Sequence, residues 1–532
     1  MRFHAVRFKR VRKSAHAAAA SVLTLLLWSC AAQAAAQGPN YARLERAAEM
    51  IRRGQLARAE TELAAVLRGS PEEANALNLL GVVRAQQKRH EEAEQLFLRA
   101  VKSSPALVGA FVNLGQLYAS RGDDEQALKA FDAAAALAPR HPEVNYHLAS
   151  IREGRREFAR ALEHLGRIPA QSRGPEHLHI AVRCLLGLGR ADEAASLVAL
   201  LRSAQGGAAA VPAEDAAGFA ALFAAHARTD VALEILGAAL RRAPDSFAVL
   251  YNLGATHLQR RELERAEEFY RRALALKPED GATLRALSGV ERARGRLEKS
   301  FAYVERALRL DPDSRALLYD YGWTALNLNR LPEALSALER LHRAHPREPA
   351  YIYALAVARF YNNEDAQALT LLRRYIELNP RDARGHYVLG VMLHLMMKGA
   401  EARAALAESF DLAPTADAAH YLGLIAYDED DLAQAERWLK RAVELNPAHA
   451  PSRAALGMTY AKRKDLVAAR AELERAAALD PHDLTAAYQL GLLYTRLGER
   501  ERAREMLAVA DRLRAEQRQA GRPGLRLAEP PK

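Results

Sequence analysis

Eleven prolines keep time along this chain. They stand at 71, 105, 139, 244, 278, 312, 346, 380, 414, 447 and 481, with gaps of 34, 34, 105, 34, 34, 34, 34, 34, 33 and 34, and the single long gap is three periods plus three residues. Glycines at 81, 115, 254, 322, 390, 423, 457 and 491 hold the same phase. So does a third series at 59, 93, 127, 161, 194, 232, 266, 300, 334, 368, 402, 435, 469 and 503, alanine throughout except for Ser300. A phase sustained this long excludes a single globular core and calls for an array of one small unit, each copy completing its apolar face on its neighbours.

The unit is legible in Tyr251–Pro278, YNLGATHLQRRELERAEEFYRRALALKP. Leu250, Leu253, Gly254 and His257 follow one another at i, i+3, i+4 and i+7, one face of a helix. Ala266, Tyr270 and Ala273 make the facing stripe of a second helix, which Pro278 ends because it offers no backbone N–H. Asp280, and Ser246, Ser314, Asp382 and Asp483 in other copies, stand where a side chain caps the helix that follows. Gly254 costs a helix interior about 1 kcal/mol against alanine, so close approach of the second helix must return more than that.

These residues resemble the tetratricopeptide repeat family, whose signature is matched by Leu250, Leu253, Gly254, His257, Ala266, Tyr270, Ala273 and Pro278 and repeated in 111–139 and 454–481. The resemblance runs from about Asn40 to Ala515 and implies an all-α fold, an α-solenoid wound as a right-handed superhelix of about fourteen helix-turn-helix units. Block 1 is expected at 40–202 and block 2 at 219–515. Between them the Gly/Pro/Ala-rich stretch 203–218 reads as a loose joint, and the repeats at 143–201 are degenerate. Residues 516–532 read as a helical extension and a disordered tail.

Six basic residues, Arg2, Arg7, Lys9, Arg10, Arg12 and Lys13, precede an uncharged run from Ser14 to Pro39 with an apolar centre, AAAASVLTLLLW, and an Ala32-Gln33-Ala34 cleavage motif. That is the layout of an export signal over 1–34, followed by a short linker at 35–39. Leu27–Cys30, LWSC, also resembles a lipobox whose Cys30 would carry a lipid, so two processed forms are open. Removing the six leaves 70 basic against 65 acidic residues, a net of +5 instead of +11, which argues against nucleic acid as a partner. The expected location is the periplasm, or the outer membrane if Cys30 is lipidated. Either processing event leaves Cys184 as the only thiol able to form a disulfide, so no internal bridge is expected.

Motifs that carry chemistry are scarce. His90–Glu94, HEEAE, lacks the second histidine of a zinc-protease helix, and Gly187–Asp192, GLGRAD, follows a helix instead of a strand and reads as a repeat turn. His177 and His179 lack the third and fourth ligands a metal site needs, and His342 and His345 read as the end of a repeat helix. No enzyme activity, cofactor or metal is expected.

Surface remains. In the resembled family the second, fifth, ninth, twelfth and thirteenth positions of each first helix line a concave groove. Carried over, this places Tyr251, Tyr319, Trp323, Tyr353, Phe360, Tyr361, Tyr387, His394, Tyr427 and Tyr488 along it as a candidate partner-binding stripe. Earlier units carry small or polar residues there, among them Asn78, Val112 and Gln116. The leading expectation is a non-enzymatic scaffold in the cell envelope, serving assembly of a secretion, pilus or envelope complex, that binds a protein or peptide in the groove. A polysaccharide export or biosynthesis component, with aromatic rings stacking on sugars, is the alternative.

Overall fold

The computed structural model of the chain describes residues 39–203 and 212–520. The export signal, Cys30, residues 204–211 of the expected joint and the extreme C-terminal tail lie outside the described residues. Within them the chain forms 28 α-helices and no strand, from Pro39–Arg52 to Arg500–Ala520, joined as fourteen consecutive hairpins. The expected array of helix-turn-helix units is therefore present. It divides into two compact units, one ending at Lys277 and the other beginning at Pro278.

Each hairpin closes through the three residue series read from the sequence. In the seventh, Phe247–Gln259 packs on Leu263–Leu276, with Leu253, Gly254, Ala266, Tyr270 and Ala273 buried at the contact. Every extensive helix contact joins helices no more than two apart along the chain. Within each unit most successive first helices also touch one another, whereas second helices of neighbouring hairpins have no comparable contact. The first helices are thus an inner layer and the second helices an outer one.

Two devices set the geometry between helices. All fourteen hairpin turns hold one residue with positive φ, glycine at 54, 122, 189, 295 and 498 and a side-chain-bearing residue elsewhere, from Lys88 (φ 62) to Lys464 (φ 66). Between hairpins, Arg99, Arg272 and Arg306 each donate to the carbonyl of the proline 28 residues earlier, Pro71, Pro244 and Pro278, at 3.0, 3.2 and 3.3 Å. That carbonyl belongs to a chain that has just left its helix, so it has no intrahelical partner and the arginine supplies one.

Most expected caps are in place. Asp280 accepts from the Thr283 N–H at 2.9 Å, and Ser246, Asp382 and Asp483 also accept from backbone N–H groups of the following helix. Ser314 has the extended backbone of a cap but makes no side-chain cap bond, which departs from the sequence expectation. The degenerate region at 143–201 remains helical, with one second helix shortened to Phe158–Arg167 and a 3₁₀ turn, Ala170–Ser172, taking up the slack.

Candidate partner-binding face

The stripe expected on the first helices does not lie uniformly at the surface. Trp323, Tyr353 and Phe360 are only 6, 0 and 2 % exposed and belong to the apolar core of the second unit, so they are corrected from groove residues to packing residues. Their side chains fill the apolar core that the helices of this unit share, and filling that space excludes water more effectively than a smaller side chain would. Tyr353 lies 5.2 Å, ring to ring, from Tyr375 on the second helix of its own hairpin.

The other seven are partly buried and keep some surface. In the first unit Tyr251 stacks on Phe247 at 6.1 Å and meets the edge of Tyr270 at 5.5 Å. In the second unit Tyr319 leans on Tyr351 at 5.6 Å, while Tyr387 and His394 both meet Tyr421, at 6.0 and 5.8 Å. Tyr361 adjoins Phe360 at 6.3 Å. Tyr427 and Tyr488 stand apart from this cluster, each with a cation over its ring, Lys462 at 4.7 Å and Arg514 at 5.1 Å. Tyr351 and Tyr421 were not among the expected residues. Each lies one position away from the place the groove pattern marks, so a reading by phase alone passes over them.

Polar groups among these rings are arranged unevenly. Arg285 Nε holds Asp320 at 2.5 Å, and Asp382 accepts from Arg384 Nη2 at 2.8 Å and from the Tyr375 hydroxyl. Burial alone would raise the Asp382 carboxyl, yet the bonds from Arg384 and Tyr375 carry it below the usual carboxylate range. Burial holds the Tyr319, Tyr353 and Tyr387 phenols well above their ordinary range, so all three remain hydrogen-bond donors. His420 is pushed down to about 3 by burial, with His449 nearby adding to the effect, and it stays neutral. The first-unit face is polar, as expected: Asn113 Nδ2 donates to Asn78 Oδ1 at 2.9 Å and Gln116 Nε2 to Glu143 Oε1 at 2.5 Å.

Of the histidines singled out in the sequence, His177 and His179 have structural partners, whereas His342 Nδ1 is buried without a hydrogen-bond partner. His177 Nδ1 accepts the Gly174 N–H at 2.9 Å at a helix start, and His179 stacks on Phe219 at 4.0 Å. Among the described residues no cluster of three His, Cys, Asp or Glu side chains is placed to hold a metal. Cys184 is buried, and burial pushes its thiol up to about 12, far from the reactive thiolate form. The face carries phenol donors, aromatic edges and paired charges.

Comparison with known proteins agrees with the repeat geometry. Family models described as tetratricopeptide repeat match residues 44–107, 112–175, 218–281 and 353–395, residues 291–358, and residues 416–449. No curated protein matches the sequence. Similar solved structures include the APC/C hetero-tetramer Cut9-Hcn1, with TM-score 0.41 and 16 % identity over 83 % of this chain and 94 % of that one. A tetratricopeptide repeat protein from Parabacteroides merdae gives TM-score 0.41 and 20 % identity over 46 % of this chain and 98 % of that one. Yeast Tom70 gives 0.38 and 16 %, over 84 % and 96 %.

Proposed function

The chain belongs to the tetratricopeptide repeat family, and on that premise we propose that it is a non-enzymatic scaffold of the cell envelope that binds a protein or peptide partner along its first-helix face. The observation that carries this reading is the tyrosine cluster of the second unit. Tyr319, Tyr361, Tyr387 and Tyr421 remain partly exposed on successive first helices, where large rigid rings anchor a partner at little entropic cost. The export layout of residues 1–34 supports a periplasmic location, with attachment through Cys30 as the membrane-bound form. No described helix is long and apolar enough to cross a membrane.

Photo-crosslinking in intact cells tests the face. A crosslinking side chain in place of Tyr387 should capture a discrete partner, and one in place of the exposed, outer-layer Arg374 should not. Equal yields from both positions would remove the groove from the reading. Fractionation of the same cells checks the location independently, since recovery in the cytoplasm would overturn the envelope assignment alone.

A further inference from the structure

The seven hairpin turns of the first unit carry a one-sided charge. Residues 53–55, 87–89, 121–123, 155–157, 188–190, 226–228 and 260–262 hold ten arginines or lysines against three carboxylates, and no turn lacks a cation. The described junctions at the other ends of these helices, 70–73, 104–107, 138–141, 168–174 and 243–246, hold only Arg140 and Arg173 against Glu72, Glu73 and Asp245. Successive turns lie side by side: Arg121 reaches back to Glu94 at 2.6 Å, Arg228 to Asp192 at 2.8 Å, and Gln259 to the Ala224 carbonyl at 2.9 Å. First helices end on this edge and second helices begin on it, so their dipoles oppose each other and do not account for the excess. The three acidic side chains are engaged, Asp123 with the Gln126 N–H at 3.1 Å, Glu157 with Arg152 at 2.9 Å and Glu262 with His257 at 2.7 Å. Four cations are not. The side chains of Lys88, Arg155, Arg156 and Arg261 are exposed and, among the described residues, make no hydrogen bond or ion pair. Three of them, Lys88, Arg156 and Arg261, have φ of 62, 61 and 61°, the left-handed region where a side chain costs stability and glycine does not. No contact within the fold offsets that cost, which points to an anion outside it.

We propose that this edge of the first unit lies on an anionic lipid surface, its turns bonded to headgroup phosphates, an inference that uses the envelope location above but not the tyrosine face. Nine of the ten cations are arginine, whose planar fork matches phosphate oxygens. They stand on the tips of turns, so they meet a plane without needing a groove. The same turns hold no Phe, Tyr or Trp on which the bases or sugar rings of a polyanionic polymer would stack, and this favours a membrane over a polymer. Chain length agrees as well. Nine residues separate Cys30 from Pro39, about 32 Å at full extension, so a lipid on Cys30 would keep the first hairpin near the leaflet. A single acyl chain binds reversibly, and a basic patch is the second signal that makes such an anchor stable.

Co-sedimentation of the purified chain from residue 35 onward, which carries no lipid, tests this with vesicles of phosphatidylcholine alone or with phosphatidylglycerol added. The phosphatidylglycerol vesicles should bind at least about tenfold more tightly, and raising salt from about 0.05 to about 0.5 M should release the protein. The Lys88→Gly/Arg156→Gly/Arg261→Gly variant, relieved of three strained side chains, should bind at least about tenfold more weakly while its denaturation midpoint stays level or rises. Arg140→Gln/Arg347→Gln/Arg381→Gln removes as much charge at exposed positions away from these turns and should bind like the parent. Equal binding to both vesicles, a glycine variant that binds like the parent, or a control that loses as much would each overturn the proposal. So would a heparin fragment or single-stranded oligonucleotide held more tightly than the vesicles and released by the glycine substitutions, since the partner would then be a polymer. Vesicle binding is read on purified protein, so failure of the Tyr387 crosslink or recovery in the cytoplasm would fall on the scaffold reading and leave this result standing.

Discussion

At the scale of single residues the array is held by a rule of complementary volume. A Cβ added at Gly254 would lie 2.7 Å from the Tyr270 ring, and one at Gly81 or Gly115 would strike Phe97 or Phe131 just as closely. Gly322, Gly390, Gly423, Gly457 and Gly491 face Leu338, Leu406, Leu439, Leu473 and Leu507, in every case sixteen residues on. Where the glycine is replaced, by Ala47, Ala149, Val182, Ala220, Ser288 or Ala356, the residue sixteen on is Leu63, Leu165, Val198, Leu236, Val304 or Leu372 and never aromatic. The two exceptions of one hairpin also explain each other, because Ser288 and Ser300 share a buried hydrogen bond of 2.9 Å. Gly254→Leu should therefore overpack the Tyr270 contact and destabilise by roughly 1–3 kcal/mol. Gly289→Ala, whose added Cβ meets nothing within 4 Å, should instead stabilise by up to about 1 kcal/mol through helix propensity. Urea midpoints of the two variants moving in the same direction would refute the volume rule.

At the scale of the helical hairpin the turn is the strained part. A left-handed residue ends every first helix, yet nine of the fourteen carry a side chain, including Arg156, Ala227, Arg261 and Met397. For such residues the conformation costs roughly 1–2 kcal/mol, which glycine avoids. Met397 is 86 % exposed, so its side chain contributes little packing in return. Met397→Gly should raise stability by about 1 kcal/mol, less whatever the added freedom of the unfolded chain removes. A thermal or urea midpoint lower than that of the parent would show that the methionine makes a contact worth more than the strain. Gly54, Gly122, Gly295 and Gly498 mark this turn in the amino-acid sequence, but the substituted turns hide the series from a reader looking for glycine.

At the scale of the whole molecule contacts are local, since each helix meets only its near neighbours. Stability is then a sum of hairpin and interface terms, and a lesion need not spread. Trp323 lies in the core of the second unit and Gly491 lies far along the chain from it, so Gly491→Leu should lower the far-UV midpoint of the last hairpins and leave the Trp323 fluorescence transition nearly in place. The readout needs Trp438 replaced by Phe, as it is the other tryptophan of the described residues. Coincident transitions in this variant would mean that the array unfolds as one cooperative block.

The period of the sequence by itself determined the hairpin and its count, because these depend on residues within one repeat and its two neighbours, whereas the Tyr270 ring as the group that fills the space over Gly254 came from the tertiary structure. Leu250, Leu253, Gly254, Ala266, Tyr270 and Pro278 are enough to write the unit. Exposure was a different matter. Tyr319, Tyr353 and Tyr387 stand in one phase, 34 residues apart, and yet Tyr353 is sealed in the core while the other two keep a face to solvent. The difference comes from what each meets across space, a buried Tyr375 ring for Tyr353 and partly exposed rings, Tyr351 and Tyr421, for its neighbours. Equivalent positions in a repeat share a backbone direction, but burial is decided by the volume and polarity of side chains on other helices. Only the tertiary structure could therefore separate the aromatic residues sealed in the core from those that keep a face to solvent.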